Sequence, residues 1–167
     1  MKKIKKSMLF GVVFCIIVGS LSHFFYEWAH FHPAAGFISP VSESTWEHMK
    51  LIFFPALFYS LLLFILFRKK YPTLFPACLA GLLCGTLFIP VFFYTYTGIL
   101  GYHLFWLDIV TFLLAVFLTF FLSFRLFFCQ RIRRFFPFLL ILSFLFSSAF
   151  FYFSFHPPSL GIFSIPQ

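Results

Sequence analysis

Residues 51–70 read LIFFPALFYSLLLFILFRKK, a run without charge through residue 67 that ends in three consecutive cations. An α-helix needs about 20 predominantly apolar residues to cross the hydrocarbon core of a bilayer. Extended back to about Ser44, this segment is long enough, and basic residues that directly follow a span mark its cytoplasmic side. The stretch therefore predicts a transmembrane helix over about 44–67 that emerges into the cytoplasm.

The rest of the chain repeats this pattern. Of 167 residues, 62% are hydrophobic and only 10% are charged, whereas soluble domains are about half apolar and a quarter charged. A chain of this size cannot bury that excess in one core, so lipid must solvate most of its surface. We predict a single all-α membrane domain over 1–167, a bundle of about five transmembrane helices. The spans are predicted at about 7–28, 44–67, 73–94, 102–124 and 135–155.

Local signals refine the helix ends. Ser44 to Glu47 read STWE, which fits the capping box that starts a helix. Pro55 predicts a bend in the second span, and Pro137 suits the first turn of the fifth. MKKIKK before an apolar run resembles a signal peptide, but the run continues past the length of such a peptide, so we expect it to be retained.

The basic residues indicate the orientation. They cluster at 2–6, 68–70 and 125–134, and Lys50 alone lies elsewhere. With the N-terminus in the cytoplasm and the C-terminus outside, all three clusters fall on the inner face of a cell membrane. Clusters between apolar runs argue against nucleic-acid binding, despite the formal charge of +8. The partners predicted here are the bilayer and its anionic headgroups at the cytoplasmic face.

The same topology gathers the acids and histidines at the outer side. This group comprises Glu27, Glu43, Glu47, Asp108, His23, His30, His32, His48, His103 and His156. Acidic residues contribute little to orientation, so this bias needs another cause. The three tryptophans, Trp28, Trp46 and Trp106, also lie near that boundary, as expected for an aromatic belt.

Helical spacing places several of these groups on common faces. His23, Glu27 and His30 share one face of the first span. Glu43, Glu47 and Lys50 share one face of the second, where Glu47 and Lys50 are spaced for an ion pair. Glu27 is expected to pair with a neighbouring histidine. Polar groups facing lipid are costly, so they should turn inward and pair, or line a wet cavity.

Histidine with carboxylate is a good ligand set for a divalent metal such as zinc. Three ligands and one open position would activate water, which suits a membrane hydrolase acting on a lipid or envelope substrate. The predicted ligands are drawn from His23, His30, His48 and His103, and the predicted catalytic carboxylates are Glu27, Glu47 and Asp108. Two alternatives stay open: an ion- or proton-coupled transporter, and a non-catalytic accessory subunit whose polar cluster only holds helices together.

Two further patterns have competing interpretations. Ala77, Gly81 and Gly85 form a small-xxx-small stripe, which indicates close packing within the chain or, alternatively, a homo-oligomer contact. Residues 31–40 (FHPAAGFISP) and 155–166 (FHPPSLGIFSIP) are either two loops covering the outer mouth or a chance similarity in a Phe-rich chain. The four cysteines lack zinc-type spacing and are expected to be apolar fillers.

The segment HFFYEWAHFHPAAGFISPVSESTWEHMKLIFFP (23–55), with GILGYHLFWLD (98–108) and PPSLGIF (157–163), resembles a family known only as a domain of unknown function. Its members are small multi-pass bacterial membrane proteins, chiefly from Gram-positive lineages. The resemblance extends over nearly the whole chain, and the WEH segment is its most specific part. It implies a membrane location and no activity, cofactor or partner.

Overall fold

The computed structural model describes residues 2–166 and is built from helices. Seven are α-helical: α1 (Lys2–Trp28), α2 (Pro33–Gly36), α3 (Thr45–His48), α4 (Lys50–Phe67), α5 (Leu74–Leu100), α6 (Phe105–Phe127) and α7 (Phe136–Phe153). Two 3₁₀ segments, Gln130–Phe135 and Gly161–Phe163, precede and follow α7. Within these residues there is no strand, so the predicted all-α class is confirmed.

Five helical segments are long and apolar enough to cross a membrane. They are α1, α3 with α4, α5, α6, and the segment Gln130–Phe153 that contains α7. This confirms the predicted bundle of five membrane-spanning helices. The third span runs to Leu100, past the predicted end near 94, because its Tyr, Thr and Gly residues continue the helix. Gly101, at φ 82°, ends it by donating its N–H to the Thr97 carbonyl.

The second span starts at a modified capping box. Ser44 Oγ accepts a hydrogen bond from the Glu47 N–H at 3.4 Å, as predicted. The Glu47 carboxylate does not return this bond to Ser44 but accepts one from the Val41 N–H at 2.8 Å. The helix continues through Met49, whose carbonyl accepts from the Phe53 N–H. This cap therefore ties the preceding loop to the span.

The third span is the most buried of the five and packs against α4, α6 and α7. Its stripe of small residues faces α6. A methyl group at Gly81 would overlap Ser123 Oγ, and one at Gly85 would overlap Thr119 Oγ1. The stripe thus makes the helix contact within one chain that the pattern predicted. A homo-oligomer stays a prediction.

The two ends of the bundle differ in chemistry. We call the end where α1, α5 and α7 finish and α3 and α6 begin the histidine end, and the opposite end the basic end. At the basic end, Lys3 Nζ lies 5.6 Å from the Phe67 ring centroid, and Thr73 Oγ1 donates to the Phe127 carbonyl. Because the five spans alternate in direction, the first span begins at the basic end and the fifth span finishes at the histidine end.

The two His-Pro segments both lie at the histidine end but differ in local structure. The first forms α2, capped by His32 Nδ1, which accepts from the Ala34 N–H. The second forms the 3₁₀ turn Gly161–Phe163, whose Phe163 packs on Trp46 with ring centroids 5.0 Å apart. Both segments thus cover the same end of the bundle without repeating one fold.

Candidate metal centre

Two histidines and one glutamate come together at the histidine end. His23 Nε2 lies 3.7 Å from Glu43 Oε1, and His48 Nε2 lies 3.4 Å from Glu43 Oε2. One ligand atom from each residue can be chosen so that all three lie within 4.8 Å of one another. The cluster therefore joins α1, the loop before α3, and α3 itself.

Close helix packing brings the two histidines together. Gly19 is one turn before His23 on α1, and a Cβ there would lie 2.5 Å from the Leu51 carbonyl oxygen. The missing side chain lets α1 approach α4 at this level. One turn nearer the histidine end, the rings of His23 and His48 have centroids 5.5 Å apart. Sequence spacing within either helix could not show this pairing.

A backbone contact orients His48. Its Nδ1 lies 2.9 Å from the Ser44 carbonyl oxygen, one helical turn earlier. A carbonyl only accepts, so Nδ1 carries the proton and donates. Nε2 is then the His48 nitrogen that lies nearer Glu43 and the one available to bind a metal. A second contact that fixes the tautomer in this way is typical of histidines that bind metals.

His23 has a polar atom without a partner. Its Nδ1 is buried and forms no hydrogen bond with the described residues. Such a group costs free energy unless water or a ligand meets it. The side chains of His23 and His48 are 31% and 30% exposed, and that of Glu43 is 63% exposed. The cluster is thus open at the surface of the bundle, while packing covers most of its two histidines.

The donor set suits a divalent transition metal. Two imidazole nitrogens and a carboxylate oxygen are among the ligand sets of catalytic zinc, which sits about 2.0–2.2 Å from each. Ligand atoms on a tetrahedron of that size are separated by roughly 3.3–3.6 Å. His23 and His48 approach different oxygens of Glu43, at 3.7 and 3.4 Å, and one ligand atom from each of the three residues lies within 4.8 Å of the others. The three side chains would therefore draw closer together to bind one ion. Three protein ligands leave a fourth position for water or substrate.

Glu47 and Lys50 form the predicted ion pair, and it is buried. Lys50 Nζ lies 2.7 Å from Glu47 Oε2, and the two side chains are 0% and 3% exposed. Glu47 Oε1 accepts a hydrogen bond from Ser154 Oγ at 2.8 Å, which ties the end of the fifth span to the start of the second. Both carboxylate oxygens of Glu47 are thus engaged away from the histidine pair.

The buried pair also holds the loop that carries Glu43. Lys50 Nζ donates to the carbonyls of Gly36 and Ser39, at 2.8 and 3.3 Å. Glu47 accepts from the Val41 N–H, two residues before Glu43. Hydrogen bonds therefore anchor the loop at Gly36, Ser39 and Val41. Glu43 follows the last of these anchors by two residues.

Glu27 and His30 do not join the cluster. His30 and Phe31 have positive φ angles of 52° and 59°, which turn the chain out of α1. Both Glu27 and His30 are exposed. The pairing expected between Glu27 and a histidine does not occur among residues 2–166, since all four ion pairs there involve other carboxylates.

His103 and Asp108 form a second group with Tyr96. The Tyr96 hydroxyl donates to Asp108 Oδ1, and His103 Nδ1 lies 3.6 Å from Asp108 Oδ2. This group joins α5 to the start of α6. A Cβ at Gly19 would lie 2.7 Å from the Phe112 ring, so α1 meets α6 one turn below His23 and Asp108. Asp108 therefore lies at a level similar to that of the histidine pair, on the neighbouring helix.

Glu43 is the ligand that was absent from the predicted site residues. Its spacing from Glu47 and Lys50 predicted a place on the same helical face, which is wrong, because Glu43 lies in the loop before α3. Its position depends on contacts between residues far apart in sequence. The available signal was its place directly before the Ser44 cap, because a cap fixes the residue beside it relative to the first turn. His48 is in that first turn.

An apolar groove lies on another side of the α1–α4 contact. Its single polar lining residue, Ser22, donates its hydroxyl to the Gly19 carbonyl. The other residues that line it are Val18, Leu21, Phe25, Trp28, Ile38, Phe54, Pro55 and Phe58. None of the clustered ligands borders the groove, so the candidate metal centre and this groove are separate.

Comparison with known proteins gives one relationship. Neither a curated protein nor a solved structure matches this chain. A family model described as "Family of unknown function (DUF6512)" matches residues 1–165. The match spans all five membrane-spanning helices and every residue of the candidate centre. The chain therefore belongs to the family of unknown function DUF6512.

Proposed function

We propose that this multi-pass membrane protein binds a divalent metal ion such as zinc through His23, Glu43 and His48, and that the bound metal activates water for hydrolysis. The observation that carries the proposal is the convergence of three ligand atoms within 4.8 Å from separate segments. The Ser44 contact that orients His48 supports it.

The chemistry follows from the open ligand position. A zinc ion lowers the pKa of a bound water to about 7 and polarises a carbonyl oxygen. A carboxylate near the metal then accepts the proton of the attacking water. Glu27, one turn beyond His23 on the same face of α1, and Asp108, on the neighbouring α6, are the candidates for this base.

Glu47 has a different role in this proposal from the catalytic one that its sequence position suggested. Its carboxylate is saturated by Lys50, Ser154 and the Val41 N–H. We assign it, with Lys50, the task of positioning the Glu43 loop. His30 and His103 are likewise left outside the proposed ligand set, since neither is part of the three-residue cluster.

The proposal includes an orientation. The three clusters of lysine and arginine lie at the basic end. By the positive-inside rule, that end faces the cytoplasm when the protein sits in a cell membrane. The metal centre then faces outward, and the basic end meets anionic headgroups. The contacts of Glu47 with Lys50 and Ser154 hold segments together, as the accessory-subunit alternative expects. Neither that alternative nor the transporter accounts for the open cluster of His23, Glu43 and His48, so hydrolysis is the function proposed.

Metal analysis tests the proposal. Purified full-length protein in detergent is equilibrated with zinc, desalted and measured by elemental analysis, alongside His23→Ala, His48→Ala and His156→Ala. We expect about one zinc per chain in the wild type and in His156→Ala, and a small fraction of that in the other two. A wild type that retains no zinc, or equal retention in all four proteins, would overturn the proposed metal centre.

A further inference from the structure

The charges around the metal centre restrict its substrate. Resting on the proposed function, we infer that the bond cleaved is a carboxylic ester or amide, in a neutral or cationic molecule, and not a phosphoester. Enzymes that act on phosphate surround it with arginine, lysine or several metal ions, because charge must be neutralised in binding and in the transition state. The histidine end has no free group of this kind in residues 2–166.

Lys50 is the sole lysine or arginine at that end, and it is fully occupied. Its three ammonium hydrogens are directed at Glu47 and at the carbonyls of Gly36 and Ser39. Its side chain is 0% exposed. A phosphate group could bind Lys50 only if the hydrogen bonds that anchor the Glu43 loop were broken. The remaining lysines and arginines lie in the segments 2–6, 68–70 and 125–134 at the basic end.

Backbone donors do not supply the missing charge. The N-terminus of a helix attracts anions through its free N–H groups. The first turn of α6 already contains a carboxylate, Asp108. The first turn of α3 is capped by Ser44. A histidine that binds a metal does so as a neutral ligand, so His23 and His48 add no positive charge to a loaded site.

The sum of the charges of the metal ion and the nearby carboxylates also argues against a phosphate substrate. A divalent ion carries +2, and Glu27, Glu43 and Asp108 at the histidine end carry −1 each, so these formal charges sum to −1. A phosphate dianion would add to that negative charge, and Lys50, the one lysine at this end in residues 2–166, is not free to offset it. An ester or amide carbonyl needs only one metal ion to polarise it and one carboxylate base, which this site provides.

Paired chromogenic substrates test the inference. Zinc-loaded full-length protein is assayed with 4-nitrophenyl butyrate, the anionic mono-4-nitrophenyl succinate, and 4-nitrophenyl phosphate, which share one leaving group. Each rate is divided by the rate of the same compound without protein, so that intrinsic reactivity cancels. We expect the neutral ester to show an acceleration at least about 100-fold above that of the phosphate, with the succinate in between, and His48→Ala to lose it.

The outcomes separate the two proposals. Zinc-dependent acceleration of the phosphate that equals or exceeds that of the neutral ester would overturn the inference and leave the hydrolase standing. Zinc retention without acceleration of any of the three compounds would overturn the hydrolytic function and the substrate class together.

Discussion

Glu47 and His48 are neighbours in sequence but lie in different environments. Successive residues on a helix point about 100° apart, so Glu47 turns into the protein to meet Lys50 while His48 turns toward His23. The short segment Thr45–His48 thus carries both a structural anchor and a proposed metal ligand. Ser44 serves both, since its hydroxyl caps the helix and its carbonyl orients His48.

The first prediction concerns Glu43. Glu43→Gln removes the negative charge while keeping the size of the side chain, and we expect zinc affinity to fall by at least about 10–100-fold, the loss seen when even an outer-shell partner is removed. Calorimetric titration measures it. Glu27→Gln is the matched control, since Glu27 lies outside the proposed ligands, and its affinity should stay within about twofold. Equal losses in both variants would contradict the assignment.

The second prediction concerns the buried ion pair. Lys50→Met leaves Glu47 buried without its partner, and removing one member of such a pair costs about 3–5 kcal/mol. Unfolding of the purified protein should therefore occur at clearly lower denaturant concentration. Adding Glu47→Gln removes the orphaned charge and should restore part of the stability. A single variant as stable as the wild type would contradict the structural role of the pair.

Part of the candidate metal centre and its anchoring ion pair could be predicted from the sequence, and part could not. The Glu47–Lys50 pair follows from a three-residue step on one helix, and His23 and His48 follow from their depth in the membrane. The contact of Glu43 with the two histidines was not predicted, because it depends on a loop that is anchored by Lys50 and by the Glu47 carboxylate. Those contacts join residues far apart in the chain, which local periodicity does not encode.

At the scale of elements, the contact between α5 and α6 depends on small residues. Gly81 and Gly85 lie directly against Thr119 and Ser123, so the two backbones approach without intervening side chains. Between membrane helices such packing supplies the association energy that the hydrophobic effect supplies in water. The stripe was visible in the sequence, but its partner helix was not.

The third prediction tests this contact. Gly85→Ala places a methyl group on Thr119 and 2.8 Å from the Ala115 carbonyl oxygen, which forces the helices apart. Overpacking of this kind costs about 1–3 kcal/mol. Gly98→Ala, on the same helix, is the control, since a Cβ there meets nothing within 4 Å. Thermal unfolding in detergent should show a loss for the first variant only; parallel behaviour would contradict the contact.

Helix existence was easier to predict than helix length. Each span was found from its apolar run, because lipid demands about 20 such residues whatever the packing. The third span nevertheless runs six residues beyond its predicted end, to Leu100, where Gly101 stops it. Tyrosine, threonine and glycine lower the hydropathy there but do not break the helix.

At the scale of the whole molecule, charge is separated between the two ends of the helix bundle. The basic end carries every lysine and arginine except Lys50, whereas all four acidic residues lie at or near the histidine end. This separation is the basis of the proposed orientation, and the acidic groups at the histidine end attract cations.

The fourth prediction tests that orientation. Cys129 is free and exposed at the basic end, and Ser159→Cys places a thiol at the histidine end. A membrane-impermeant maleimide applied to intact cells should label the introduced cysteine and spare Cys129, and Cys129 should react after the membrane is opened. Labelling of Cys129 in intact cells would show the reverse orientation.

X-ray absorption spectroscopy of the zinc-loaded protein tests the metal centre most directly. His23, Glu43 and His48 predict a nitrogen and oxygen shell at about 2.0–2.2 Å with scattering from two imidazole rings. His48→Ala should reduce that to one ring. A sulfur shell at about 2.3 Å would place the metal at cysteine, and a wild-type spectrum without imidazole scattering would contradict the proposed centre.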